Sequence, residues 1–240
     1  MNRLFVAALA SLVVLSSCHL FYNRIHGTGN VVSQSRQFSN FHGVEVGSAI
    51  ELFVKQDSAY SVKVEVDDNL QQYVEISESG GTLYVKQRNN TSLDATHGIR
   101  VYVTAPEFTH LKASGASRML SENTLTNSSS TDVGLSGASN AQLDLKTPKI
   151  TVDVSGASDL AMKGETKDLS IEGSGSSGIK CFDLLAENTD VDISGATKAE
   201  VYSSVTLSAS ASGASDVYYK GKGTVKKQDA SGAGSIRKAD

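Results

Sequence analysis

The chain has 240 residues, a formal net charge of −4 at pH 7, 21 glycines, two prolines, no tryptophan and an aromatic content of 6%. This length fits one or two domains, and the mild negative charge gives the chain no electrostatic reason to bind nucleic acid. The shortage of large aromatic residues disfavours a globular β-sandwich and favours a narrow core of small and aliphatic side chains.

The N-terminus carries an export signal. Arg3 precedes the apolar run Leu4–Leu15, which is too short to span a bilayer comfortably. The run ends in Leu15-Ser16-Ser17-Cys18, which resembles the bacterial lipobox, where the cysteine is diacylated through its sulfur and becomes the new N-terminus after cleavage. An ordinary signal peptide followed by a chance cysteine is the alternative.

This segment predicts a lipid-anchored protein. We expect a lipoprotein signal peptide at residues 1–17, lipidation at Cys18 and a tether at residues 18–29. Three acyl chains on one residue would hold the protein stably in a membrane. His19 stands where an aspartate retains enterobacterial lipoproteins at the inner membrane, so the resemblance favours an outer-membrane lipoprotein, in either leaflet.

The stretch from Asn30 to about residue 110 predicts irregular β structure. Alternating apolar residues predict strands on both sides of the corner Val46–Ala49, which resembles a degenerate copy of the phrase that follows later. Asp67-Asp68-Asn69 predicts the start of a helical turn, and Ser79-Gly80-Gly81 predicts the turn of a hairpin. We expect Arg88–Thr96 to be a polar loop. Further strands are predicted at Tyr60–Val66, Thr82–Gln87 and Ile99–Thr104.

From Ser114 onward a four-residue phrase, Ser-Gly-Ala-Ser or a close variant, occurs seven times at intervals of 22, 19, 19, 20, 18 and 19 residues. A fixed period near 19 is typical of a solenoid, in which each repeat is one rung that packs only against its neighbours. Glycine suits a corner with positive φ or with closely stacked backbones. We therefore assign a structural corner to seven glycines: Gly115, Gly137, Gly156, Gly175, Gly195, Gly213 and Gly232.

Apolar residues recur at every second position on both sides of each phrase, which predicts strands with one buried face and leaves no room for a helix. Each rung is predicted to consist of a strand, a tight glycine corner, a second strand and a variable polar return such as Lys163–Asp168. We expect valine to cost more than about 1 kcal/mol at the corner glycine Gly156 and less at Gly164 in this return. We predict an all-β, parallel β-helix-like solenoid over residues 30–240, right-handed like most crossovers, with rungs of about 19 residues and a more irregular β-rich N-terminal half.

Cys181 is the only remaining thiol if Cys18 is acylated, so no intramolecular disulfide is expected. The repeat register aligns Cys181 with the inward row, and this alignment predicts a small buried hydrophobe rather than a nucleophile. The other members of that row are Leu143, Met162, Val201 and Tyr219.

An acidic row is formed by Asp153, Glu172 and Asp192, which lie two residues before the first serine of three consecutive phrases. Successive side chains of a strand point to opposite faces, and this alternation places the three acidic side chains on the outer surface. Carboxylates stacked at roughly 5 Å repel one another at a cost of about 1 kcal/mol per pair in a wet setting. The row is a weak candidate for a Ca²⁺ site, but a solvated face is the preferred interpretation because the Ca²⁺-binding nonapeptide pattern is absent.

The residues offer little for catalysis. All five histidines precede the repeat region and are too scattered for a zinc pattern, which argues against a histidine-based nucleophilic site within the rungs. The phrase lacks the G-x-S-x-G pattern of a nucleophile elbow. We predict no catalytic residue and no cofactor. Tyr202 and Tyr218, if exposed, would suit glycan stacking.

Several segments together resemble one bacterial family. These are Phe41–Val46, Ile50–Leu52, the serial phrases, and Val217–Gly221 ahead of Ser231–Ile236. They are similar to the "putative auto-transporter adhesin, head GIN domain" family, which is common among lipoproteins of Bacteroidota. The resemblance covers about residues 30–240. It implies a β-helix-like all-β fold, and it transfers no catalytic residues.

The sequence thus predicts a non-enzymatic, lipid-anchored protein of the cell envelope that acts as an adhesin or as another binding or structural module. The alternative is a carbohydrate-active β-helix enzyme acting on an envelope or dietary polysaccharide, which would need carboxylates and basic residues clustered across adjacent rungs. The acidic row comes near this requirement, but we expect it to lack basic partners in register. Expected partners are the membrane, through the anchor, and a glycan, a protein ligand or a second copy, but no nucleic acid.

Overall fold

The computed structural model describes residues 23–239; the predicted signal peptide, the lipidation site Cys18 and residues 19–22 of the predicted tether lie outside the described residues. The described part consists of strands and one 3₁₀ helix at Asp68–Tyr73. Within residues 23–239 no helix is long and apolar enough to cross a membrane. The first strands are β1 Asn23–His26, β2 Val31–Arg36, β3 Gly43–Val46, β4 Glu51–Gln56, β5 Ser61–Asp67, β6 Val74–Ser79, β7 Thr82–Gln87, β8 Thr91–Asp94 and β9 Arg100–Ala105. The later strands are β10 His110–Ala113, β11 Arg118–Ser121, β12 Leu125–Thr126, β13 Ser130–Leu135, β14 Asn140–Val154, β15 Asp159–Gly173, β16 Gly178–Cys181, β17 Leu184–Ile193, β18 Lys198–Tyr202, β19 Thr206–Ala211, β20 Asp216–Lys220, β21 Thr224–Ala230 and β22 Ser235–Lys238.

The strands wind into a β-solenoid of about seven turns with rungs of about 19 residues, which confirms the predicted fold class. Each rung enters its corner through one strand and leaves it through a second strand, and equivalent strands of successive rungs pair in parallel. The strands that enter the corners form face A: β3, β10, β13, the last parts of β14 and β15, β17, β19 and β21. The strands that leave the corners form face B: β4, β11, the first parts of β14 and β15, β16, β18, β20 and β22.

The core lies between the faces and is filled by rows of aliphatic side chains, one residue per rung. Alternation along each strand sends every second side chain inward, as the burial of β14 and β19 shows. Cys181 is 0% exposed and unpaired, in register with Val201 of the next rung, so its predicted inward position is confirmed. A narrow core of this kind holds few large side chains, which agrees with the low aromatic content.

The returns between the faces form a third side, the return edge, at residues 145–148, 164–167 and 184–187. The expectation of a variable polar return is wrong for β14 and β15, which run for 15 residues each through this side. The side chains of Thr147 and Thr166 point inward and donate to the carbonyl oxygens of Lys149 and Asp168, at 3.1 and 3.3 Å. Because these inward residues are threonines, the pattern of apolar residues does not reveal that buried and exposed side chains alternate here.

Gly164 is also not a tolerant position. It has φ +117°, a backbone conformation that side chains disfavour, and a Cβ there would lie less than 3.0 Å from the carbonyl group of Leu145. The return edge is therefore stacked as closely as the corners at this point, and the expectation that a substitution costs less at Gly164 than at Gly156 is wrong.

The N-terminal end of the solenoid is closed by strands that run against the parallel order. β5 pairs antiparallel with β9 and with β2, and β6 pairs antiparallel with β7 through a turn at Gly80-Gly81, which confirms the predicted hairpin. The predicted corner at Val46–Ala49 is displaced by one residue, because Val46 still belongs to β3 and the chain turns between it and β4. β3 and β4 stack in parallel on β10 and β11, as the first rung, and on their other side they pair in parallel with β7 and β9 of the cap. The irregular strands thus cover the end of the core that the first rung leaves open.

Residues 23–29 belong to this cap rather than to a tether. β1 pairs in parallel with β8, which lies inside the stretch Arg88–Thr96 that we expected to be a loop. Arg24 and His26 each contact Oδ2 of Asp94, at 3.0 and 2.8 Å, and these two groups hold the pKa of Asp94 below its usual value. Strands of four residues paired across about 70 positions leave no local sequence signal, so the sequence did not predict them.

Asp67 ties the cap together. It is fully buried, and its carboxylate accepts hydrogen bonds from the N–H of Gly29 at 2.7 Å and from the N–H and hydroxyl of Thr96 at 2.9 and 2.8 Å. Burial raises the pKa of Asp67, but the hydrogen bonds from Thr96 and Gly29 outweigh it and hold the pKa below 3.8. The predicted helical turn follows directly as the 3₁₀ helix, and Asp67 makes no side-chain cap to it.

The last rung, β21 and β22, differs from the interior rungs. The ladder between β19 and β21 shifts register after Leu207, so Lys226 is the extra residue of a β-bulge. Gln228 stands in register with the inward Ala209, and its Nε2 donates to the carbonyl oxygen of Ile236 at 3.0 Å. A bulge and a polar bridge at the end of the core are features that protect an open sheet edge from pairing.

Candidate functional site

The repeated phrases stack at one edge of the solenoid, and their glycines follow one another from rung to rung. All seven predicted corner glycines have φ between +73° and +80°. The N–H of Ala157 donates to the carbonyl oxygen of Gly137 at 2.7 Å, and the same bond recurs at the following corners. A Cβ on any of the six glycines from Gly137 to Gly232 would lie less than 3.0 Å from the carbonyl oxygen of the glycine one rung before. Glycine is thus required here by backbone angle and by stacking together.

The serines of the phrase are also used structurally. The fourth residue points inward, is buried, and donates its hydroxyl to the carbonyl oxygen of the first serine of the same corner, as Ser158 does to Ser155 at 2.9 Å. The same bond closes the corners at Ser117, Ser139, Ser177 and Thr197. These hydroxyls are not presented to solvent as nucleophiles, so the recurrence of the phrase has an architectural reason.

The acidic row lies on the outer surface of face A. Asp153, Glu172 and Asp192 are exposed and in register on three consecutive rungs. Among residues 23–239, no three histidine, cysteine or acidic side chains come together as a metal ion requires. The row is therefore a ladder of solvated carboxylates, and its weak candidacy as a calcium site receives no geometric support.

A depression of about 550 Å³ opens beside Asp153, at the end of this row nearer the first rung, where Gly134 contributes no side chain. The row continues from Asp153 through Gly134 to Lys112 and Glu45. A Cβ on Gly134 would meet the alkyl chain of Lys112 at 2.9 Å, so the lysine lies across the glycine. The expectation that the acidic row lacks basic partners in register is wrong, because Lys112 belongs to the same row.

His110 lies beside this depression on β10, which is itself a rung strand, so the histidines do not all precede the stacked rungs. Nε2 of His110 lies 2.9 Å from Oε1 of Glu45, and Nζ of Lys112 lies 4.0 Å from the same oxygen. Asp132 follows His110 in the same row. The depression therefore presents three carboxylates and two basic groups, which can bind a polar or zwitterionic ligand by ion pairs and hydrogen bonds.

Other candidate residues are less available. Burial raises the pKa of the Cys181 thiol to about 12, so the thiol is neutral and unreactive at physiological pH. Tyr202 and Tyr218 are half-buried rather than exposed, and Nζ of Lys198 lies 5.0 Å from the ring centroid of Tyr218. The cation covers one face of that ring, which disfavours glycan stacking on it.

The depression was missed at the level of sequence because its members come from distant segments. Glu45 lies 65 residues before His110 in the chain, and only their pairing across β3 and β10 unites them. One signal was present, because the Val46–Ala49 corner identified a first rung. Aligning this corner position by position with Ser114–Ser117 pairs Glu45 with Ala113, however, whereas the structure pairs Glu45 with Lys112, so the alignment is one residue out of register.

Solved structures share this fold. A "putative adhesin" from Bacteroides fragilis superposes with a TM-score of 0.83 at 18% identity, covering 90% of this chain and 100% of that one. A "putative lipid binding protein" from Parabacteroides distasonis gives 0.72 at 22% identity, covering 91% and 100%. A "putative adhesin" from Parabacteroides merdae gives 0.69 at 19% identity, again covering 91% and 100%.

No curated protein matches the chain. A family model does match it: the model described as "Putative auto-transporter adhesin, head GIN domain" aligns with residues 40–223. This span runs from the first rung to the start of the last one and includes six of the seven corner glycines. The chain therefore belongs to the putative auto-transporter adhesin, head GIN domain family.

Proposed function

We propose that this protein is a non-enzymatic, lipid-anchored binding module of the cell envelope, in keeping with the adhesin description of its family. One observation carries the proposal: the hydroxyl of the fourth residue of the phrase is hydrogen-bonded within its own corner, as at Ser158 and Ser177. The repeated phrase therefore builds a stacked scaffold rather than a catalytic site, and the charged outer faces of this scaffold are open to a partner. Similar structures are described as a putative adhesin and as a putative lipid binding protein, and these descriptions support a binding role. They give no support to the alternative of a carbohydrate-active enzyme.

The position of β1 adds geometry to the anchoring part of the proposal. If Cys18 carries the lipid, only residues 19–22 separate it from the first strand. Four extended residues reach about 14 Å, so the cap lies close to the bilayer. β21 lies seven parallel pairings beyond β3 on face A, which corresponds to about 34 Å. The last rung is then the end of the scaffold that projects away from the anchor.

Anchoring is tested in the natural host with the full chain. We expect the protein to incorporate labelled palmitate and to partition into the detergent phase of a phase-separation assay, whereas Cys18→Ala does neither. Cys181→Ala is the matched control, because it removes the other cysteine and leaves the lipobox unchanged. Palmitate labelling that persists in Cys18→Ala, or that depends on Cys181, contradicts the proposed anchor.

A further inference from the structure

The last rung and the turn before it are strongly basic. Residues 220–239 contain six lysines and arginines and one acidic residue, Asp229, although the whole chain has a net charge of −4. Of these cations, Lys227 pairs with Asp229 at 3.4 Å, and Lys220 lies over the ring of Phe182. We name this group the basic end: Lys220, Lys222, Lys226, Lys227, Arg237 and Lys238. Five of its members are exposed and Lys220 is half-buried, and together they surround the last rung from both faces and from the return edge.

Exposed aliphatic side chains lie next to the basic end and one rung before it. Val205 and Val225 adjoin the last rung, whereas Leu185 lies one rung further back, beside the exposed Glu187. Leu185 and Val205 are each 50% exposed and Val225 is 37% exposed, and they account for three of the six large hydrophobic residues exposed within residues 23–239. Val205 and its neighbours connect to the last rung through the bond from the N–H of Thr224 to the carbonyl oxygen of Val205, at 2.8 Å. Clustered aliphatic side chains with cations beside them are typical of surfaces that rest on lipid.

An added polypeptide strand fits this end less well. The bulge at Lys226 interrupts the outer edge of β21, and lysines on an edge strand oppose strand addition. The cations point in several directions around the end instead of following one groove, and a strand added to β21 would not cover Leu185 and Val205 on the return edge. A broad anionic surface would contact the cations and the aliphatic side chains at the same time.

We propose that the basic end docks on a lipid surface that carries anionic headgroups. This inference rests on the proposed function, because it identifies the partner of the anchored module. Lys222, Lys226 and Lys227 contact the headgroups, while Leu185 and Val205 insert into the interface. Since the basic end lies opposite the anchored cap, the protein either bridges to a second lipid surface or lies along its own membrane.

The test uses the chain from His19 onward, which keeps every residue of the described fold and carries no lipid. It is sedimented with vesicles of phosphatidylglycerol and phosphatidylcholine in equal parts, and with vesicles of phosphatidylcholine alone. We expect binding to the anionic vesicles only, weakening as salt is added. The triple change Lys222→Gln, Lys226→Gln and Lys227→Gln is expected to reduce the partition coefficient on the order of 100-fold, since each lysine near an anionic surface contributes roughly fivefold.

A matched triple variant, Lys55→Gln, Lys63→Gln and Lys86→Gln, changes the net charge equally but lies in the first strands at the opposite end of the solenoid, and it is expected to bind nearly as the unchanged chain does. Equal losses in the two variants, or equal binding to neutral and anionic vesicles, overturn the proposal. Soluble polyglutamate serves as a competitor: if it binds the basic end more tightly than the vesicles do, the partner is an acidic polypeptide and not lipid. Because this chain lacks Cys18, failure here leaves the palmitate result untouched.

Discussion

Replacing a corner glycine by alanine separates the two reasons for which the corner needs glycine. Gly156 has φ +77°, and a Cβ there would lie less than 3.0 Å from the carbonyl oxygen of Gly137. Gly98 has φ +78°, but a Cβ there would meet no atom within 4 Å. The two positions therefore share the backbone cost and differ in the stacking cost.

The magnitudes follow from these contacts. The left-handed conformation costs a residue with a Cβ about 1–2 kcal/mol, and the reduced freedom of the unfolded chain returns about 0.4–1 kcal/mol. Gly98→Ala should thus lower the free energy of unfolding by about 1 kcal/mol. Gly156→Ala must also push two rungs apart, at about 1–3 kcal/mol, and weaken the 2.7 Å hydrogen bond from Ala157 to Gly137. We expect it to cost about 2 kcal/mol more than Gly98→Ala.

The assay is thermal unfolding followed by circular dichroism, with urea unfolding as a second measure. A difference of about 2 kcal/mol corresponds to about 4–8 °C in Tm for a chain of this size. Gly115→Ala should fall between the two variants, because the nearest atom to its added Cβ is the backbone nitrogen of Ser48 at 3.2 Å. Equal melting temperatures for Gly156→Ala and Gly98→Ala would refute the stacking argument and leave only the backbone angle.

Three further predictions concern buried polar groups. Between about pH 9 and 12 the thiol of Cys181 loses its proton in the unfolded state and keeps it in the folded state, so the free energy of unfolding falls by up to about 4 kcal/mol. Urea unfolding measured at a series of pH values should show that the free energy of unfolding falls less steeply in Cys181→Ala. Asp67→Asn should lower the free energy of unfolding by about 2 kcal/mol at pH 7. The pKa of Asp67 is lower in the folded protein than in the unfolded chain, so the stability that its carboxylate contributes is lost as the pH falls below 3.8, and the difference between the two proteins should shrink there. A difference that is independent of pH contradicts the role of the carboxylate. Ser158→Ala should cost about 1 kcal/mol by removing the donor to Ser155, whereas the exposed Ser176→Ala should leave Tm unchanged.

The corners and the inward rows of the solenoid could be predicted because their signals are local and repeated. A phrase that recurs near every 19 residues fixes the register of the flanking strands, and this register placed Cys181 correctly in the core. The return edge was predicted less well, because Thr147 and Thr166 point inward with their hydroxyls bonded to nearby carbonyls. A threonine in such a position carries no hydrophobic signal.

The cap and the Gly134 depression could not be predicted for a different reason. Both depend on pairings between segments that lie far apart in the chain and lack the repeated phrase. Asp67 gathers Gly29 and Thr96, and Glu45 meets His110, only after the first rung has stacked on its neighbour. Periodicity describes residues within one segment, and it says nothing about which distant segments meet.

The closed hydrogen-bonded corner has a consequence for how such proteins change length in evolution. Each interior rung carries its own corner and bonds only to the rungs on either side, so a duplicated unit of about 19 residues would insert as one new layer. The insertion would lengthen the molecule by about 4.8 Å and leave the cap and the bulged last rung as they are. The longer intervals between phrases follow the same logic, since extra residues such as Phe182-Asp183 form a turn on the return edge and leave the corners aligned. The length of the solenoid is therefore a quantity that gene duplication can adjust one layer at a time.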